Sequence, residues 1–132
     1  MFAGVAITRS LTTVQAGLAL NWNSSTAPTN GIIVYLSDGN ILVDKCVAGT
    51  WSNVSTTAYT YSAGARLVVA KNGTEYRTYY NNALVKADTI TDAGIITNTF
   101  HGLFSTDPSN TFDDYVVYAT GSSGEYNALN AF

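Results

Sequence analysis

The chain is poor in charge, cysteine, histidine and proline, and each scarcity closes off a class of function. Among its 132 residues are one cysteine, one histidine and two prolines, and charged residues make up only 11%. Globular proteins usually carry roughly 25% charged residues. Cys46 stands alone, so no internal disulfide forms, and with no histidine or second cysteine at metal-ligand spacing it reads as a small core residue. The six basic residues are spread singly from Arg9 to Lys86. They form no stripe for nucleic acid and no polybasic membrane anchor. No apolar run approaches the ~20 residues of a membrane-spanning helix. In MFAGVAITRS the arginine follows the apolar stretch, the reverse of a signal peptide, so no leader is expected. With neither disulfide nor leader, a particle assembled inside a cell fits as well as a secretory route.

Carboxylates are also scarce. A retaining glycosidase holds two carboxyl groups ~5–5.5 Å apart across the scissile bond. The only glutamates are Glu75, beside a turn signal, and Glu125, near the C-terminus. Asp113 and Asp114 are neighbours, and adjacent strand residues face opposite sides, so they cannot share one substrate. His101 and Ser105 lie in HGLFS without a nucleophile elbow. The chain is therefore expected not to be an enzyme.

What is present points to β-structure. Hydrophobic residues make up 46%, nine tyrosines and two tryptophans among them, and Ser, Thr and Asn supply the polarity. No heptads or long helical periodicity occur. Short strand-like runs alternate with turn chemistry: Asp38-Gly39, Ala48-Gly49, Ala63-Gly64, Asn72-Gly73 and Asn81-Asn82. Strands are expected at Phe2–Thr8, Val14–Asn23, Ile32–Leu36, Ile41–Val47, Trp51–Thr57 (continued by Tyr59 and Tyr61), Arg66–Ala70, Glu75–Tyr80, Leu84–Lys86, Phe100–Ser105 and Thr111–Ala119. In the second, alternation sets Leu18, Leu20 and Trp22 on one face. Asp88–Asn98 reads as an irregular connection. About ten strands at this spacing suggest an antiparallel β-sandwich or barrel over residues 1–119. Residues 120–132 form a Gly/Ser-led tail, either a frayed terminus or a docking segment carrying Tyr126, Leu129 and Phe132.

The stretch ARLVVAKNGTEYRTYYNNALVKADTITDAGIITNTFHGLFSTDPSNTFDDYVVY combines several recognisable pieces. They are the Asn72-Gly73 turn, Tyr79 on an alternating strand, the Asn81-Asn82 turn, Gly102-Leu103-Phe104, and a closing Phe112-Asp113-Asp114-Tyr115. Together they resemble the concanavalin A-like lectin/glucanase superfamily in its laminin-G-like, jelly-roll form. DKCVAGTW at 44–51 resembles modules of phage and metagenomic virion structural proteins. The resemblance implies an all-β antiparallel sandwich, and it covers lectins, hydrolases and adhesion modules alike. The family's E-x-D-x-x-E catalytic motif is missing. In that family the strand resembling Phe2–Ile7 follows one or two earlier strands, so here it is expected to leave an unpaired edge.

The leading expectation is a non-enzymatic structural or adhesion module on a phage or virus-like particle, located at a virion or extracellular surface. Its N-terminal edge strand and C-terminal tail would meet other copies or a particle protein, and a cell-surface glycan is a further partner. The alternative is a free carbohydrate-binding module, and a glycoside hydrolase stands third. Glycan candidates are Trp51, Tyr59, Tyr61, Arg77 and Tyr79, because aromatic faces pack on sugar C–H surfaces while polar groups bond the hydroxyls. No cofactor is required. A structural Ca²⁺, which takes carboxylate and carbonyl oxygens, has Asp113 as its first candidate ligand, with Asp107 and Asn110 beside it. The competing reading has Asp113 accepting backbone N–H bonds at a bulge, since Phe112 and Tyr115 break strict alternation. The sequons at Asn23, Asn53 and Asn72 arise easily in a chain this rich in Asn, Ser and Thr.

Overall fold

A computed structural model describes residues 1–118. The expected tail and its docking residues Tyr126, Leu129 and Phe132 lie outside the described residues. Ten strands follow in order: β1 Phe2–Thr8, β2 Ala16–Trp22, β3 Gly31–Ser37, β4 Asn40–Val47, β5 Thr50–Ala58, β6 Arg66–Asn72, β7 Glu75–Tyr80, β8 Ala83–Thr89, β9 Phe100–Ser105 and β10 Thr111–Tyr118. One short helical turn, α1 at Ala93–Ile96, interrupts the connection from β8 to β9.

All pairings are antiparallel and build two five-stranded sheets, ordered β10-β1-β6-β7-β8 and β5-β4-β3-β2-β9. The tight turns follow their local chemistry. Asn81 and Asn82 both sit at positive φ (49° and 66°), as do Ala48 and Gly49 (50° and 80°), the twist a two-residue hairpin needs. At the third hairpin Asn72 pairs with Glu75, so the loop is Gly73-Thr74, one residue later than the Asn-Gly signal suggests.

The inward faces meet in a single core. Leu18, Leu20, Ile32, Val34, Leu36, Ile41 and Val43 of one sheet face Val5, Ile7, Leu67, Val69, Tyr76 and Tyr80 of the other. Each fully buried aliphatic side chain stabilises by ~1.5–3 kcal/mol. α1 closes one end by burying Ile95, and Asp92 before it is held by Lys45 of β4 at 2.7 Å.

Two expectations are corrected here. The N-terminal strand is not an open edge, because β10 returns from the far end of the chain to flank β1, which lies between β10 and β6. Among the described residues the outermost strands are β10, β8, β5 and β9. Trp22 does not share the inward face of Leu18 and Leu20. The register of β2 against β9 shifts between Ala19 and Trp22, and Asn21 adopts φ 53°. That extra residue turns the next side chain to the opposite face.

Candidate functional site

The outer face of the β5-β4-β3-β2-β9 sheet carries an organised set of side chains, of which Phe100, Trp51, Asn53 and Thr56 are exposed and Ile33, Tyr35 and Cys46 are buried. Residues opposed across antiparallel strands share a face, and the register sets them out in three rows. The first runs Phe100, Trp22, Gly31, Cys46, Trp51. The second runs Gly102, Ala19, Ile33, Asp44, Asn53. The third runs Phe104, Gly17, Tyr35, Leu42, Thr56. Large rings therefore stand on either side of a middle row that begins with the smallest residues. Gly31 and Tyr35 are four residues apart on β3, which separates the flanking rows by ~13 Å, and five strands span ~19 Å across.

Glycine makes each wall possible. A Cβ on Gly31 would come within 2.3 Å of the Trp22 ring, so the indole lies directly on the β3 backbone. Trp22 Nε1 donates to the Ile32 carbonyl at 3.0 Å, and its ring meets Trp51 at 5.6 Å, tilted by 57°. Cys46 is buried in the same row and donates its thiol to Thr29 O at 3.3 Å. A Cβ on Gly17 would come within 2.0 Å of the Val34 carbonyl. Tyr35, in the same row, meets Phe104 edge-on at 5.3 Å. Above Gly102 an added Cβ meets nothing within 4 Å, so the floor is open at its β9 end, while Ile33 in the middle of the row is buried.

Polar groups close the β4–β5 end of this groove. Tyr35 donates its hydroxyl to Asp44 Oδ2 at 2.7 Å, and Asn53 Nδ2 donates to Asp44 Oδ1 at 2.7 Å. Burial, then the bond and charge of Asp44, push the Tyr35 hydroxyl up to about 12. Asp44 is the sole Asp or Glu in the five strands of this sheet, so a second carboxylate for glycoside hydrolysis is missing from it. The groove offers two aromatic walls and one oriented carboxylate–amide pair.

The residues singled out in the sequence do not gather in one place. Trp51 is 52% exposed and stands on the groove. Tyr59 and Tyr61 lie beyond the end of β5 and pack on the core. Tyr59 meets Tyr80 edge-on at 4.8 Å and its hydroxyl accepts from Arg9 at 3.1 Å; burial pushes it up to about 12. Tyr61 accepts from the Arg9 backbone at 2.8 Å, under the guanidinium. Tyr59 also lines a cleft of about 340 Å³ with Thr57, Thr60, Tyr80, Asn81 and Leu84. Arg77 and Tyr79 belong to the other sheet, on the face away from Tyr76, Thr78 and Tyr80, and Arg77 pairs with Glu75.

The candidate calcium ligands are engaged in local bonds. Asp107 Oδ1 accepts from the Ser109 N–H at 2.7 Å. Asp113 Oδ1 accepts from the Asp114 N–H at 2.8 Å, at the expected bulge, where Asp114 has φ 52°. Asn110 is buried and accepts from Ser10 while donating to Gln15 and Ser105. Among the described residues no three His, Cys, Asp or Glu side chains converge as a metal site. Each of the two carboxylates has Oδ1 engaged in a local bond, and Asn110 has both its amide oxygen and its amide nitrogen engaged. Sequence reasoning missed Trp22, Tyr35, Asp44, Asn53, Phe100 and Phe104; the small residues Gly17, Ala19 and Gly102 were the available signal.

Comparison with known proteins places the architecture. No family model and no curated protein matches the sequence. Solved structures match by shape. One is the carbohydrate binding module CBM66 from Bacillus subtilis (TM-score 0.62, 14% identity, 86% of this chain and 66% of that one). Another is sheep galectin-11 in complex with glycerol (TM-score 0.55, 11% identity, 84% and 88%). A third is a mutant of the GH43 protein BlXynB from Bacillus licheniformis (TM-score 0.57, 19% identity, 89% and 27%). The chain thus spans just under two thirds of the first and about a quarter of the third. The fold is a jelly-roll β-sandwich. The virion reading finds no support in these likenesses.

Proposed function

We propose that the protein is a non-catalytic glycan-binding module, and that the groove on the outer face of the β5-β4-β3-β2-β9 sheet holds the glycan. The observation that carries this reading is the pairing of Trp22 with Trp51 beside the Tyr35–Asp44–Asn53 hydrogen bonds. Exposed aromatic faces take the C–H surfaces of sugar rings, and the carboxylate and amide take the hydroxyls. A groove ~19 Å long suits a short oligosaccharide better than a single sugar. The names of the carbohydrate binding module and the galectin agree with this reading, although identity to them is only 14% and 11%. The single carboxylate of the sheet favours binding over hydrolysis. The test is a glycan array with the wild-type protein and Trp51→Ala: a saturable hit lost in the variant is expected, and no hit on a broad array defeats the proposal.

A further inference from the structure

One hydrogen bond beside the groove rim depends on a histidine lone pair. Asn21, 4% exposed and at φ 53°, sits where β2 slips against β9. Its backbone N–H donates to His101 Nδ1 at 3.1 Å. Its other polar groups are already engaged. Oδ1 accepts from the Tyr76 hydroxyl at 2.9 Å, Nδ2 donates to Asn98 O at 2.7 Å, and its carbonyl accepts from Asn98 Nδ2 at 3.1 Å. The Nδ1 acceptor exists only in the neutral imidazole; in the imidazolium both nitrogens carry protons. Protonation would set N–H against N–H and strand a buried donor.

The position of this bond gives it a consequence. Asn21 precedes Trp22 and His101 follows Phe100, and Trp22 and Phe100 are cross-strand partners at the groove rim. We propose that protonation of His101 in acid breaks the Asn21–His101 bond, unseats the Trp22–Phe100 rim and releases the bound glycan. This rests on the glycan reading for the ligand, but the switch itself is a property of the free protein.

The surroundings set the direction. Burial, then the Met1 ammonium at the start of β1, then Lys71 of β6, hold the His101 ring below its ordinary 6.5. The polar groups of Asn21, Tyr76 and Asn98 facing this corner are neutral. A base lowered on folding gives stability that is present above 6.5 and is lost as pH falls through the folded value. The ring is neutral near pH 7 and acts as the acceptor there.

The test uses the full-length protein without ligand first. Tryptophan emission and the Asn21 amide resonance are followed between about pH 7.5 and about pH 5. A single transition below pH 6.5 is expected in both. His101→Asn places an amide oxygen near the Nδ1 position and does not titrate, so its emission stays flat; His101→Gln serves if that variant fails to fold. Affinity for an array-selected oligosaccharide is then measured at the two ends. A loss of roughly tenfold is expected in the wild type and none in His101→Asn. Emission that stays flat in the wild type, or a titration unchanged in His101→Asn, overturns the switch. If no oligosaccharide binds, the glycan reading fails while the ligand-free titration still decides the switch.

Discussion

Tyr35 and Asp44 are joined across adjacent strands by a hydrogen bond of 2.7 Å, and that bond aims the one carboxylate of its sheet into the groove. The carboxylate also accepts from Asn53, so three side chains from β3, β4 and β5 act as one unit. Removing the shared acceptor should cost more than removing either donor. Asp44→Ala is expected to weaken glycan binding by ~10- to 100-fold, the loss of one or two charge-assisted bonds, with Asp44→Asn milder. Calorimetric titration of both variants checks this order, and an unchanged affinity in Asp44→Ala counts against the site.

Tyrosine ionisation opposes the fold at high pH. Burial first, then Asp44, raises Tyr35 to about 12, and burial raises Tyr59 to about 12 against the lowering effect of Arg9. Burial also raises Tyr76. A group whose protonated form is favoured on folding stabilises fully below its unfolded value and loses that contribution as pH rises through the folded one. Stability should therefore fall between pH 10 and about 12. Denaturant midpoints across that window should drop less in Tyr35→Phe than in the wild type.

Arg9 is a buried cation, 6% exposed, held by neutral partners. Its guanidinium donates to the carbonyls of Thr12, Val14 and Asp38 and to the Tyr59 hydroxyl, and it lies 4.6 Å from the Tyr61 ring centroid. It ties the end of β1 to the β3–β4 hairpin and to the segment after β5. Arg9→Met keeps much of the volume and leaves those carbonyls unpaired, so it should destabilise by ~2–4 kcal/mol. Calorimetry is expected to show a melting temperature lower by about 10 °C, and a change within a degree or two would mean the carbonyls find other donors.

The glycines of the groove separate folding from binding. Gly31→Ala drives a methyl into the Trp22 ring and is expected to lower stability by ~1–3 kcal/mol and to shift tryptophan emission. Gly102→Phe enters open space on the floor, so its melting temperature should stay close to wild type while glycan binding is lost. Thermal melts and titrations of the same two preparations distinguish these outcomes.

The Asp107–Asn110 loop and the Asp113 bulge are held by hydrogen bonds of their own side chains to nearby N–H groups and to the Ser105 hydroxyl. Adding a chelator to the protein should therefore leave its melting temperature unchanged, and a clear drop would point to a structural Ca²⁺.

Local signals carried most of the fold. The bounds of β1, β7 and β9 and the turns at Asp38-Gly39 and Asn81-Asn82 follow from alternation and turn chemistry alone. The neighbours of β1 do not, since its pairing with β10 spans nearly the whole described chain. The site was less legible for three physical reasons. GIIVYLS is buried on both faces, so no alternation marks Tyr35 as outward. The slip at Asn21 reverses the face of Trp22. Tyr59 and Tyr61 have the residue type of a sugar platform, but Arg9 holds them half-buried against the core. Trp51 was visible because it is a large ring in the otherwise polar run TWSNVSTT.

The most direct measurement is amide and indole chemical-shift mapping of the protein titrated with an array-selected oligosaccharide. The indole N–H signals of Trp22 and Trp51 and the amides of Ala19, Asp44, Asn53 and Gly102 should move together and saturate with one dissociation constant. Shifts confined to the Thr57–Leu84 cleft, or to the strand face of Arg77 and Tyr79, would contradict a glycan site in the groove.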